Sequence, residues 1–198
     1  FREWSNQISK ITEHIQNGTR NVQQALYDEA IKEYDAISKV HPYFPDAEFY
    51  KGLTRFRQKD IESAARHFSN ALKIYPAHEK ARKGLDNVTK QFLNAGNKAY
   101  KSGDFGEAAE NYMKSIAFDP QFYLGYFQLG VVQKKQGQSK ASIESLNKVL
   151  DIKPDHDKTW FTLGNVHEID GNNDLAIEHY SKAIEINPGY SKAYGSLG

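Results

Sequence analysis

Five of the six prolines in this 198-residue chain form a ladder: Pro42, Pro76, Pro120, Pro154 and Pro188, with Pro45 outside it. The steps are 34, 44, 34 and 34 residues. Proline removes a helix donor and clashes with the preceding turn, so a regular ladder marks where successive helices stop. A fixed period of this length means that one supersecondary element is used repeatedly, each copy needing its neighbours to bury its apolar face. An elongated stack of small units is expected, with a thin core.

Numbering each copy so that its proline falls at position 32 aligns the rest. The fifth copy, 157–190, carries Trp160 at position 4, Leu163 at 7, Gly164 at 8, Gly171 at 15, Ala176 at 20, Tyr180 at 24 and Ala183 at 27. The third, 89–122, carries Phe92, Ala95, Gly96, Gly103, Ala108, Tyr112 and Ser115 in the same places. The fourth, 123–156, has Tyr126, Leu129, Gly130, Gly137, Ser142, Leu146 and Val149. The second, 45–78, keeps Gly52, Ala64, Phe68 and Ala71; the first, 11–44, keeps His14, Gly18, Ala30, Tyr34 and Ile37. A sixth copy opens with Tyr194, Leu197 and Gly198 on positions 4, 7 and 8. Small residues at 8 and 20 let two helices approach where they cross, and bulky ones at 4 and 24 fill the space beside them. Gly103, Gly137 and Gly171 fall where a left-handed residue closes a first helix. Asp104 and the segment Asp170 to Asp174 supply turn and cap chemistry.

Over residues 11–198 this pattern resembles the tetratricopeptide repeat family. The resemblance implies an all-α, right-handed superhelical solenoid of helix-turn-helix units, five full repeats and the start of a sixth. Residues 1–10 are expected to extend the first helix or cap the array, with Phe1, Trp4, Ile8, Ile11 and Ile15 on one face. Residues 11–78 form repeats one and two, 89–190 repeats three to five, and 191–198 the opening of a sixth. The long step leaves ten extra residues, 79–88. Ala81, Leu85, Val88, Phe92, Ala95 and Ala99 make one unbroken helical stripe through them. One helix from about His78 to Lys101, roughly 36 Å long, is expected. The alternative is a short capping helix, a hinge near Asn87 and two sub-arrays.

Composition narrows the chemistry. Lys plus Arg is 26 against 25 for Asp plus Glu, a net charge of +1, which gives no reason to expect nucleic acid as a partner. Cysteine is absent, which removes disulfides, thiol nucleophiles and thiolate metal sites. No apolar run approaches the roughly 20 residues that cross a bilayer. The chain begins at Phe1 rather than Met, which reads as a processed or cut piece. Nothing fixes the compartment; the cytoplasm is the expectation.

No enzyme site is expected, and no cofactor or metal. The seven histidines read as packing or surface residues, although His167 and His179 lie on two helices of one repeat. Asp155 and Asp157 flank a helix start and read as caps. The segment Asp170 to Asp174 resembles a calcium loop but lacks the ligand spacing and the closing bidentate Glu. The sequons at Asn17 and Asn87 fall inside expected helices, where acceptor use is awkward.

The resemblance further implies that first helices line a concave groove that holds protein or peptide segments, through positions 2, 5, 9, 12 and 13. Those positions place Phe49, Leu53 and Phe56 in the second repeat. In the third they give Lys90, Leu93, Asn97, Tyr100 and Lys101. In the fourth and fifth they give Phe127, Val131, Lys134, Lys158, Phe161 and Asn165. An apolar aromatic stripe between cations is expected, suited to a ligand with apolar anchors and some acidic residues. The alternative is that position-5 aromatics pack between repeats. In the subclass that grips a chaperone's C-terminal carboxylate, the matching register here is Leu93, Asn97, Gln128, Lys158 and Thr162. Two of its three cations are missing, so no such clamp is expected. The functional expectation is a non-catalytic interaction scaffold. The alternatives are an accessory region of a larger enzyme, of glycosyltransferase or co-chaperone type, and self-association through the chain ends.

Overall fold

The computed structural model describes residues 2–197, with side chains from Trp4 onward. Phe1 and Gly198, named above for the first helix face and for position 8 of the sixth repeat, lie outside the described residues. The fold is all-α. Eleven helices follow in order among the described residues: α1 (Arg2–Gln23), α2 (Tyr27–Val40), α3 (Pro45–Arg57), α4 (Ile61–Ile74), α5 (Glu79–Ser102), α6 (Phe105–Phe118), α7 (Tyr123–Lys135), α8 (Ser139–Ile152), α9 (Asp157–Ile169), α10 (Asn173–Ile186) and α11 (Ser191–Leu197). They pack as consecutive pairs into two compact units, residues 1–89 and 90–198.

The crossing of each pair rests on position 8. A Cβ added to Gly18, Gly52, Gly96, Gly130 or Gly164 would come closer than 3.0 Å to the position-24 side chain of its own repeat: Tyr34, Phe68, Tyr112, Leu146 or Tyr180. Position 20 stays small and fully buried, as Ala30, Ala64, Ala108, Ser142 and Ala176. The Ser142 hydroxyl is satisfied by donating to the Gly130 carbonyl at 2.7 Å. Position 15 is left-handed in all five repeats, at φ of 59° for Ala25, 63° for Lys59, and 84°, 74° and 76° for Gly103, Gly137 and Gly171. The next residue's N–H reaches back to the position-11 carbonyl, as from Asp104 to Ala99 at 3.0 Å and from Asn172 to His167 at 2.8 Å, which closes the helix in a Schellman-type turn.

Capping differs in detail from the sequence reading. Asp104 does cap α6, accepting from the Glu107 N–H at 2.9 Å. Asp170 instead accepts from the Ser139 hydroxyl at 2.7 Å, and Asn172 makes no side-chain cap bond. The cap position of α9 is His156, not Asp155 or Asp157.

Helix α5 runs without a break for 24 residues. Its two halves do different work. Positions 3, 7 and 10 of the fourth and fifth repeats are Gly125, Leu129, Val132 and Thr159, Leu163, Val166, all buried. They face the preceding repeat; Gly125, for example, sits on Ser115 and Ile116 of α6. In the third repeat the same positions are Gln91, Ala95 and Lys98, all exposed. In the first half of α5, Ala81, Leu85 and Val88 are buried, and Gly84 abuts Phe68 of α4. The first half therefore closes the first unit, and the second half opens the next.

At the other end, α1 outruns α2. Trp4 and Ile8 remain exposed beside Val40 and Tyr43, around an apolar hollow of about 520 Å³. The extension is helical but does not fold back as a cap.

Candidate functional site

In the first unit Phe49 is only 7 % exposed. That corrects the expectation of an exposed ring there: Phe49 packs on Phe68 at 6.0 Å and on His78 at 5.3 Å between ring centroids. Leu53 is exposed and Phe56 half-buried.

In the second unit Lys90, Lys101 and Lys158 are exposed, while Leu93, Tyr100, Phe127, Val131 and Phe161 are half-buried. Leu93 and Tyr100 lean on the core of Ala99, Ala108, Tyr112, Leu129 and Val132. Phe127 leans on the core of Leu146, Leu163 and Val166. A second contact holds the position-5 rings, and the sequence reading missed it. Phe127 meets His156 at 5.0 Å and Phe161 meets Tyr190 at 5.1 Å, as Phe49 meets His78. Each partner is the last residue of the same repeat. The constant spacing of 29 residues was a readable signal for it.

Position 9 is governed from position 24. The Tyr112 hydroxyl donates to Asn97 Oδ1 at 2.8 Å; the single Tyr180 O–H donates to Glu168 Oε2 at 2.5 Å, with Asn165 Oδ1 a weaker, shared acceptor at 3.2 Å. Where position 24 is Phe68 or Leu146, position 9 is the apolar Leu53 or Val131. Burial, with Tyr100 beside it, pushes the Tyr112 phenol up to about 12. Burial and then the Glu168 carboxylate raise Tyr180 as well. Both hydroxyls therefore stay protonated donors at neutral pH, and that of Tyr112 holds the Asn97 carbonyl oxygen toward the helix pair. The Asn165 amide donates back to the Phe161 carbonyl at 3.0 Å.

Charge on these faces is one-sided. Positions 2, 5, 9, 12 and 13 of α5, α7 and α9 hold Lys90, Lys101, Lys134, Lys135 and Lys158 against one carboxylate, Glu168, already engaged by Tyr180. Lys134 is held below the usual lysine range by burial first and by Lys135 second. In the register of the chaperone-tail clamp, Thr162 is 6 % exposed and donates its hydroxyl to the Lys158 carbonyl at 2.7 Å, so it offers nothing to a ligand. Among the described residues no group of three or more His, Cys, Asp or Glu could hold a metal ion, and no helix is long and apolar enough to cross a membrane.

Comparison with known proteins agrees with this geometry. Residues 16–79, 124–156 and 157–190 match the tetratricopeptide repeat, and residues 96–137 match the TPR repeat. The chain belongs to the tetratricopeptide repeat family. Among curated relatives, this tetratricopeptide repeat chain is 32 % identical over 124 residues to mouse DnaJ homolog subfamily C member 7, covering 60 % of this chain and 25 % of that protein. It is 32 % identical over 126 residues to DnaJ protein P58IPK homolog A of Oryza sativa subsp. japonica, 60 % of this chain and 26 % of that one. The matched region thus spans about a quarter of these relatives' length. A solved structure of the first TPR of Spaghetti (RPAP3), bound to the HSP90 peptide SRMEEVD, superposes with a TM-score of 0.54 at 18 % identity, over 55 % of this chain and 86 % of that one. At that identity the likeness is one of fold.

Proposed function

We propose that this tetratricopeptide repeat chain is a non-catalytic scaffold that binds protein segments carrying apolar anchors and acidic residues. The ligand lies along the first helices of the second unit. The observation that carries the reading is the pairing of five lysines with half-buried Leu93, Phe127 and Phe161 at repeating positions. Lysines attract carboxylates over a Debye length, and apolar side chains half out of water gain from being covered. Family membership and the peptide-bound TPR fold support a binding role. The missing cations at Leu93 and Thr162 argue for acidic side chains inside a segment, not a terminal carboxylate, as the feature read. In this reading the chain works in the cytoplasm.

The test is a displayed-peptide selection on residues 1–198. Peptides combining Asp or Glu with Leu, Phe or Ile should be enriched. The variant Lys90→Glu/Lys158→Glu, both exposed, should bind them at least about tenfold more weakly, a change of roughly 1.4 kcal/mol, with an unchanged thermal midpoint. Peptides without acidic enrichment, or equal binding by the variant, would overturn the reading. A second reading is that the repeats serve a longer chain of co-chaperone type, favoured by the quarter-length match to DnaJ proteins.

A further inference from the structure

Position 23 on the second helix of a repeat faces positions 4 and 11 on the first, and its partner changes character along the chain. In the first repeat His14 meets Glu33 at 2.7 Å, and in the second His67 meets Glu48 at 2.8 Å. In the fourth, the Ser145 hydroxyl donates to Gln133 at 2.7 Å. In the fifth, histidine meets histidine. His167 and His179 stack with ring centroids 5.1 Å apart and planes 30° apart, both half-buried. The Nδ1 atom of each is buried without a hydrogen-bond partner. Trp160 covers His179 at 5.5 Å, its indole N–H donating to the Pro154 carbonyl at 2.9 Å.

Protonation acts oppositely in these settings. Beside Glu33 or Glu48 a new imidazolium completes an ion pair. Between His167 and His179 it adds an N–H with no acceptor at a buried Nδ1, and a second imidazolium would place like charges about one ring stack apart. Among the described residues, the charged groups acting on His179 are His167 across the helix pair and Glu178 on its own helix. Burial first, and His167 second, hold His179 below the ordinary imidazole range; Glu178 works against both. The folded value lies below the unfolded one of 6.5. The stability this site contributes is therefore complete above pH 6.5 and is lost as pH falls below it.

We propose that His167 and His179 form an acid-release element: protonating the pair loosens α9 from α10 and withdraws Lys158, Phe161 and Asn165 from the binding face. The second half of that statement rests on the function proposed above. His156 is also held low by burial, with Asp155 and Asp157 opposing and Lys153 and Lys158 reinforcing that shift. The test must therefore isolate the pair. The variant His167→Gln/His179→Ser copies the Gln133–Ser145 contact of the fourth repeat and leaves His156 in place.

The experiment uses the full chain in a Trp4→Phe background, so that Trp160 reports alone; Trp4 is 72 % exposed. Trp160 emission should be quenched on acidification with a midpoint below 6.5. Amide protection in α9 and α10, corrected for intrinsic exchange, should fall at least about tenfold between pH 7.5 and 5.5. The double variant should show no quenching and only the smaller part of the protection loss that His156 causes. Equal responses in both proteins, or a response in neither, would overturn the release element. Peptides from the selection should leave the parent, and not the double variant, over the same range. An acid response without peptide binding at any pH would leave the release element standing and remove the binding reading.

Discussion

Left-handed backbone at position 15 is met by two kinds of residue. Gly103, Gly137 and Gly171 adopt it without strain, whereas Ala25 and Lys59 carry a Cβ into the same region. Lys59→Gly should therefore stabilise the first unit by up to about 1 kcal/mol. Gly137→Ala should destabilise the second by about as much, because nothing lies within 4 Å of the added methyl and the cost is conformational alone. Urea unfolding of both variants checks the pair of signs. Lys51 departs from the expected apolar position 7 in another way. It is 6 % exposed and held by Glu48 at 2.5 Å and Asp35 at 2.9 Å. Against the cost of burial, bonds from His67 and Lys51 bring Glu48 down to about 2. Its contribution is present above the unfolded value of 4.5 and is lost as pH falls from there toward 2. Glu48→Gln should cost about 1–2 kcal/mol at neutral pH, by leaving the buried Lys51 charge to Asp35 alone, and should flatten the acid limb of the stability curve.

Among the elements, α5 is where local and tertiary demands diverge. Taken alone, Gly84 weakens a helix by about 1 kcal/mol relative to alanine. In the fold, a methyl there would sit 2.8 Å from the ring of Phe68, which is 1 % exposed and has nowhere to go. Gly84→Ala should therefore lower stability by about 1 kcal/mol or more, against its helix propensity. Gly106→Ala, with only Asp104 Oδ1 at 3.6 Å, should raise it by several tenths. Circular dichroism melts of the two variants distinguish packing from propensity. The apolar stripe from Ala81 to Ala99 made the continuous helix legible. Its division of labour was also written in the sequence, as Gln91, Ala95 and Lys98 where the later repeats carry Leu129 and Val132 or Leu163 and Val166. Reading it required knowing which face meets the preceding repeat. The proposed binding face was half legible for a similar reason. Position 5 looks free when one helix is considered, and only the return of the chain at His78, His156 or Tyr190 covers it. The Tyr–Asn pairs were visible as a correlation between positions 9 and 24, but their meaning is a hydrogen bond across a helix pair.

For the molecule as a whole, the two compact units should respond separately to damage. Phe68→Ala and Leu146→Ala each empty a fully buried site and should cost about 3 kcal/mol. In a repeat fold, stability is a sum over repeats and their nearest neighbours. Hydrogen exchange should therefore show the first variant losing protection in α1 to α4 and the first half of α5, and the second losing it beyond residue 90. Uniform loss along the chain in either case would mean one cooperative body. The pairings described above also decide where such a chain can be cut and rejoined. Positions 4 and 23, 5 and 34, and 9 and 24 each close within a single proline-marked segment. A chimera joined after position 34 inherits these three pairings intact, and gives up only contacts between repeats such as Lys51–Asp35 and Ser139–Asp170. One joined at the position-15 turn does not: giving the second repeat the third repeat's second helix would set the Tyr112 hydroxyl against Leu53, a donor with no acceptor. The permissible crossover points of this chain thus lie two residues past its proline rungs, and recombination elsewhere scrambles a pairing code that composition alone would never betray.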